Sequence, residues 1–425
     1  MINLLVILFT LSGMYSILFS KKGIEYSFHW IIFAFVLGYR TFEPFSGLKL
    51  HPIEMFIYAS IIRIIISGAF KYRKMSLAVT FLSIFFIIFF FIDLFTRYDS
   101  IVLLEFKNAF LLVLIFFIAR YIYFSKMYIT RLLKYYLVAC SIISILGITE
   151  SIFPSIMSSI FGFTKQSIYL SDNILFNRLA FLFWGSHLAA NLIPPVFPII
   201  LLLKAEKDPF TNNNIILTIL IIINLFAIYL SGNRISWLTL TILFLATLFQ
   251  YRGALIPYMK SYILLVTLSF VVYIYSQPVE GRYVSTFKAL IGNIDTRYDS
   301  SGVERITRAT IAINSIFEKP LGTGWGSQGW VHSDILQIGA SIGFLPGLIL
   351  FFGPVFLLFR IYNFYRLAST DEETFFFICC GLLIFIIISF SLNGNILKVQ
   401  TGVPLFVLWV IADGFYRNYT QIMSN

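Results

Sequence analysis

Residues 336–359 read LQIGASIGFLPGLILFFGPVFLLF, an apolar stretch that directly follows a mostly polar segment, 277–335. About 17–25 apolar residues are the length that crosses the hydrocarbon core of a bilayer as a helix. Similar stretches recur along the whole chain, and 59% of the 425 residues are hydrophobic whereas 12% are charged. Because backbone groups in lipid must hydrogen-bond within the chain, such a sequence folds as a bundle of helices. We therefore predict an all-α, polytopic membrane protein that forms a single integral domain over 1–425.

We expect twelve or thirteen transmembrane helices, since the second apolar segment is interrupted by Gly38, Arg40, Glu43 and Pro44. The helix at 179–203 contains three prolines. Proline removes a backbone donor and kinks a helix, so protein or a cavity must satisfy the freed carbonyl groups. The predicted spans are 2–20, 28–45, 52–70, 76–95, 106–124, 135–153, 179–203, 214–230, 235–250, 261–276, 336–359, 374–390 and 403–416.

Lysine and arginine in the short loops predict the orientation, because cytoplasmic loops carry an excess of both. Counted over alternate loops, one set holds fifteen of these residues and the other set holds seven. The richer set should be cytoplasmic, which places the C-terminus in the cytoplasm and segment 277–335 outside it. Orientation also explains the formal net charge of +11, because the basic residues are scattered between apolar runs. We expect no nucleic-acid partner.

The segment 277–335 contains residues suited to an anionic group. After Arg305 and Arg308, the apolar spacing is typical of a short amphipathic helix on the membrane surface, with both arginines on one face. They can clamp a diphosphate, or they can pair with Glu304 and lipid phosphates. In the glycine-rich turn that follows, the amide of Gly324 can approach an anion, although such a run is more often only a turn. We expect the segment to carry part of an active site.

Three further residues are candidates for chemistry. Arg234, at the tip of a tight hairpin, can hold phosphate oxygens with paired donors or extend to lipid headgroups. His332 can accept a proton from a sugar hydroxyl, and the helix N-terminus beside it would lower its pKa; a structural surface histidine is the alternative. His187 lies at membrane depth beside the proline kink. The sequence shows no carboxylate pair of glycosidase type, metal-ligand spacing or P-loop, so neither a metal nor another cofactor is expected.

Four blocks of the sequence together resemble the O-antigen ligase/polymerase family of bacterial inner-membrane glycosyltransferases. They are RLAF…GSHLAANLIPP at 178–195, SGNRISWL at 231–238, the arginine, helix and PLGTGWG turn at 305–326, and HSDILQI…G at 332–343. Two positions depart from the family pattern. Ser341 stands where family members usually carry Glu, and Ser333 where they carry Asn. The first departure leaves open whether an acid assists His332, and Asp334 is the nearest substitute.

This resemblance implies metal-independent glycosyl transfer at the outer, periplasmic face of the bacterial inner membrane, from a glycan carried on undecaprenyl diphosphate. The chain would polymerise lipid-linked repeat units of O-antigen, capsule or exopolysaccharide. The alternatives are a ligase that transfers the glycan to lipid A-core, and a transporter or flippase of the lipid-linked glycan. The implied partners are the lipid-linked donor, a glycan or lipid A-core acceptor, membrane lipid and a regulator of chain length. The implied site residues are His332 and Arg234 in catalysis, Arg178, Arg305, Arg308 and Gly324 around the diphosphate, and His187 and Asp334 in support.

Overall fold

A computed structural model of the chain describes residues 2–38, 41–45, 48–68, 77–96, 100–161, 166–170, 173–178, 190–231, 233–250, 300–325, 327, 331–365, 370–394 and 398–423. In these parts the chain is a bundle of α-helices, as the sequence predicts, and seven helices are long and apolar enough to cross a membrane. Large side chains such as Phe19, Ile66 and Phe95 lie exposed on its outside. A bundle that is apolar both inside and outside suits lipid, so the protein is a multi-pass membrane protein.

The described helices, numbered in chain order, are α1 (Ile2–Phe19), α2 (Gly23–Ala34), α3 (Pro52–Ile66), α4 (Leu77–Thr96), α5 (Ser100–Ala119), α6 (Lys126–Ile152), α7 (Pro154–Phe161), α8 (Val196–Ala205), α9 (Pro209–Asn212), α10 (Asn214–Ser231), α11 (Arg234–Gln250), α12 (Ser300–Glu318), α13 (Asp334–Ile342), α14 (Phe344–Tyr365), α15 (Thr370–Leu392) and α16 (Val399–Met423). Two antiparallel hairpins lie between helices: β1 (Phe42–Phe45) with β2 (Leu48–Leu50), and β3 (Gln166–Leu170) with β4 (Asn173–Arg178). The candidate spans are α4, α5, α6, α10, α14, α15 and α16.

The predicted span 28–45 was too long. The helix α2 ends at Ala34, a 3-10 turn continues to Leu37, and the chain then enters the β1–β2 hairpin. The reason lies in Gly38, which has a φ of 56° and ends the turn. Positive φ values of this kind favour glycine because it has no Cβ. This segment is therefore a short helix followed by a hairpin.

The predicted span 336–359 is two helices, α13 and α14. Gly343 separates them with a φ of 110°, and its N–H donates to the carbonyl of Gly339 at 3.1 Å. The two helices pack closely, because a Cβ at Gly347 would lie 3.0 Å from the Cα of Gly339. The predicted span 261–276 lies outside the described residues.

In the described part of the predicted helix at 179–203, the chain turns at the adjacent prolines Pro194 and Pro195, and α8 begins after them at Val196. The freed carbonyl groups find partners inside the bundle, as the sequence requires. Tyr136 Oη donates to the carbonyl oxygen of Leu192 at 2.8 Å, and Ser236 Oγ donates to that of Ala190 at 2.9 Å. Residues 179–189 lie outside the described part of the chain.

The helix α15 connects two opposite ends of the bundle, where described loops lie. Near its N-terminus, the ring of Phe375 lies 4.8 Å below Lys126 Nζ. Beyond its C-terminus, the carbonyl of Asn393 accepts the N–H of Asp334 at 3.1 Å. We call these the Lys126 end and the His332 end. The orientation of the ends in the membrane remains a prediction.

The glycine-rich turn after α12 is anchored in the bundle by Trp325, which is 1% exposed. Its backbone N–H donates to Asp93 Oδ2 at 2.6 Å, near the C-terminus of α4. Its ring meets that of Phe86 edge to face, with 5.5 Å between centroids. Such aromatic pairs contribute about 0.5–1.5 kcal/mol beyond their buried area. The polar segment is thus tied to the helices at a fixed point.

A cysteine-labelling experiment tests the orientation. Lys319 at the His332 end and Lys22 at the Lys126 end are both exposed, whereas the three native cysteines are buried. A membrane-impermeant maleimide should label Lys319→Cys in intact spheroplasts and should label Lys22→Cys only after lysis. The opposite pattern would place segment 277–335 in the cytoplasm.

A pair of glycine substitutions tests the turn. Gly322 has a φ of 90°, and an added Cβ would lie 2.5 Å from the Ser341 carbonyl oxygen and 2.7 Å from the Gly343 nitrogen. Gly68 also has positive φ, 60°, but nothing lies within 4 Å of its Cβ position. Gly68→Ala should therefore cost only the left-handed penalty of about 1–2 kcal/mol, whereas Gly322→Ala should abolish stable folding because backbone atoms must move. The measurement is thermal unfolding followed by exposure of the buried cysteines; equal melting temperatures would disprove the tight contact.

Candidate functional site

The backbone around His332 is fixed by its neighbours on both sides. The N–H of Val331 donates to Gln337 Oε1 at 2.7 Å. Ser333 caps α13, and its Oγ accepts the N–H of Leu336 at 3.4 Å. An N-cap satisfies one of the free amides at the start of a helix. His332 therefore occupies a defined position at the mouth of α13, outside the membrane-spanning helices.

The amphipathic helix predicted after residue 300 is present as α12, and it carries both arginines. Ala312 is buried and Ile316 is partly buried against α13. Arg305 continues this stripe, since positions seven and eleven residues apart lie on one face of a helix. Arg305 is accordingly half-buried, whereas Arg308 is 45% exposed and lies 3.9 Å from the Glu304 carboxylate. The two arginines are thus in different environments, and Arg305 lies closer to the packed face.

The electrostatic environment of His332 is positive. Burial, together with the charges of Arg305, Lys398 and Arg308, lowers the pKa of His332 from 6.5 to about 4. A cation near an imidazole disfavours its protonated form. The sequence predicted that the helix N-terminus lowers the pKa of His332. The pKa is indeed lowered, but the causes are burial and three side-chain cations. At neutral pH the protein therefore holds an uncharged imidazole among three positive charges.

Lys398 is the member of this cluster that sequence reasoning missed. It precedes α16 and is the single basic residue of the 391–402 loop, where it entered only the charge count. Burial lowers the pKa of Lys398 to about 8, and the carboxylate of Asp334 opposes this shift. Asp334 is fully buried as the first residue of α13. The structure thus places the carboxylate of Asp334 within electrostatic reach of Lys398.

The glycine-rich turn has its amides occupied. The N–H of Gly322 donates to a carbonyl of its own turn, and the N–H of Thr323 donates to Ala340, at 2.8 and 3.0 Å. The N–H of Gly324 donates to the carbonyl of Ser341 at 2.7 Å, and the next amide bonds to α4. The glycines therefore let two backbone segments approach. The amide of Gly324 has a backbone partner, and its expected contact with an anion stays a prediction. Ser341 lies beside this turn and is 1% exposed.

The remaining predicted residues are only partly described. Arg234 is the first residue of α11 and Arg178 the last of β4, but their side chains are not among the described parts, and His187 lies outside the described residues. Next to Arg234, Asn233 caps α11 by accepting the Ile235 N–H at 3.0 Å. It also donates to Asn191 Oδ1 at 2.8 Å. This buried amide pair fixes the start of α11 at the His332 end.

The structure therefore brings His332, Arg305 and Arg308 together and adds Lys398 and Asp334. In the described part of the chain, no group of three His, Cys, Asp or Glu side chains is placed to hold a metal. No family model matches the sequence, and no curated protein is significantly similar to it. The cluster itself and the sequence blocks that surround it are therefore the features that indicate a function.

Proposed function

We propose that the protein is a glycosyltransferase that polymerises lipid-linked oligosaccharide repeat units of O-antigen, capsule or exopolysaccharide. It transfers a glycan from undecaprenyl diphosphate at the outer face of the bacterial inner membrane. The observation that carries the proposal is the neutral imidazole of His332 with Arg305, Arg308 and Lys398 around it. This cluster lies at one end of a membrane bundle, where the head of a lipid-linked substrate is located.

The reaction needs a base for one atom and cations for another. An acceptor hydroxyl oxygen attacks the anomeric carbon of the donor sugar, and the bond from that carbon to the diphosphate oxygen breaks. The hydroxyl proton passes to His332, while the electron pair leaves with the lipid diphosphate. Because negative charge develops on the leaving group, fixed cations stabilise the transition state more than the ground state. Arg305 and Lys398 are suited to this role.

Binding of the diphosphate would also improve the base. An imidazole with a pKa of about 4 is neutral at physiological pH but accepts a proton poorly. A bound diphosphate offsets the charges of Arg305, Lys398 and Arg308, so the pKa of His332 rises toward the operating pH. The site therefore becomes competent for proton transfer only when donor is present.

Within this proposal Arg308 is the outer contact, because it is more exposed than Arg305 and faces Glu304. Arg234 and Arg178 remain diphosphate ligands by resemblance, and His187 remains a supporting residue. Transport of the glycan is disfavoured because transporter sites lie near the bilayer midplane, whereas the cluster lies beside α12 at one end. A ligase would use the same chemistry, and the acceptor distinguishes it.

Turnover by the purified protein tests this proposal. With a lipid-linked repeat unit as donor, the wild type should lengthen lipid-linked glycan, whereas product on lipid A-core would indicate the ligase. His332→Ala and His332→Gln should lower the rate by roughly 10²–10⁴-fold, the usual contribution of a general base. The pH dependence of kcat/KM reports the pKa of His332 in the free protein. As the pH is lowered from 7, kcat/KM of the wild type should therefore stay constant until about pH 4 and then decrease.

The control is Lys319→Gln, which removes an exposed charge from the same segment. It should turn over normally. A His332→Gln variant with a near-normal rate and an unchanged pH profile would show that His332 is not the base. Absence of any transfer by the wild type to either acceptor would overturn the glycosyltransferase assignment.

A further inference from the structure

A second charged site lies at the Lys126 end, across the bundle from His332. It is a cleft of about 650 Å³ between the start of α6 and the loop that joins α8 to α9. Small-molecule sites typically enclose roughly 300–1,000 Å³. Its charged lining residues are Lys126, Arg131, Lys134, Glu206, Lys207 and Asp208.

Ion pairs hold the two walls of this cleft together. Lys134 Nζ lies 2.9 Å from Asp208 Oδ1, and Lys126 Nζ lies 3.2 Å from Glu206 Oε1. Both lysines are on α6 and both acids are in the opposing loop, so the walls are fixed by side chains of opposite charge. The lining contains four basic and two acidic residues, and it is therefore positive in sum.

The excess positive charge belongs to Arg131 and Lys207. Arg131 lies one turn before Lys134 on the same face of α6, since residues three apart are neighbours on a helix. Among the described residues, neither Arg131 nor Lys207 has a carboxylate within ion-pair distance. Both side chains are exposed and line the cleft. Two positively charged side chains thus remain available to bind a ligand.

Lys207 occupies a backbone position that normally carries glycine. It has a φ of 54°, and it is the one non-glycine residue with positive φ in the described part of the chain. The N–H of Lys207 donates to the carbonyl of Lys204 at 3.0 Å, and that of Asp208 donates to Leu203 at 2.9 Å. This is the Schellman ending of a helix, in which glycine is preferred because other residues are strained. At this position the helix ending carries a lysine whose side chain lines the cleft.

The cleft lies at the depth of lipid headgroups. Lys126 is the first residue of the candidate span Lys126–Glu150, and spans end where the hydrocarbon core meets the headgroups. Met127 and Tyr135 add apolar surface beside the charges. Basic pockets between transmembrane helices bind anionic headgroups. We propose that this cleft binds the phosphodiester headgroup of an anionic phospholipid, with Arg131 and Lys207 as its phosphate ligands.

Lipid titration of the purified, delipidated full-length protein tests this inference by native mass spectrometry. Phosphatidylglycerol should bind, and phosphatidylcholine should bind more weakly. The variant Arg131→Gln/Lys207→Gly should lower phosphatidylglycerol affinity roughly tenfold or more, because each cation near a headgroup contributes to binding. Glycine suits the backbone at position 207, so this variant should fold.

The matched control is Lys21→Gln/Lys22→Gln, which removes the same charge from exposed positions at the same end but outside the cleft. It should retain wild-type affinity. Equal losses in the two double variants would show general charge attraction and would overturn the site. Binding of glycerol 3-phosphate as tight as that of phosphatidylglycerol would overturn the lipid assignment. Because the cleft lies far from His332, a failure here leaves the proposed glycosyl transfer untouched.

Discussion

Backbone groups freed inside the bundle must find partners in the protein, because lipid offers none. This constraint determines where the helices are allowed to break. The carbonyls released before α8 accept hydrogen bonds from the hydroxyls of Tyr136 and Ser236, and the break at Gly343 is closed by bonds from the glycine-rich turn. Both breaks lie toward the His332 end. Irregular backbone inside the bundle thus occurs where neighbouring side chains and loops form hydrogen bonds with its free N–H and C=O groups.

The same constraint anchors the described part of segment 277–335 near the cluster. Trp325 is inserted beside α4, and the N–H groups of Thr323 and Gly324 bond to the last turn of α13. The helix α12 then packs through Ala312 on α13, which begins next to His332. Arg305 and His332 are therefore positioned by backbone contacts and buried apolar side chains. A site that stabilises developing charge works best when its cations need no rearrangement.

The sequence predicted those parts of the site that depend on residues close together in the chain. The spacing of apolar residues after Arg305 predicted α12. Contacts between distant residues could not be read from the sequence. The Asp93 carboxylate is separated by 232 residues from the Trp325 amide whose hydrogen bond it accepts. Lys398 reaches His332 only because α14 carries the chain away from that end and α15 returns it. The backbone partner of the Gly324 amide, the carbonyl of Ser341, likewise becomes apparent only when α13 is in place.

The central claim is that burial and three nearby cations keep the imidazole of His332 neutral, and that a bound diphosphate raises its pKa. The most direct measurement is the pKa of His332 by NMR of histidine-labelled protein, with and without a polyprenyl diphosphate, in the wild type and in Arg305→Gln. The account predicts a pKa near 4 in the free protein. It predicts a higher value in Arg305→Gln, because a cation is lost, and a higher value again when the anion binds. A pKa that starts at the ordinary histidine value, or that does not change when the diphosphate is added, would contradict it.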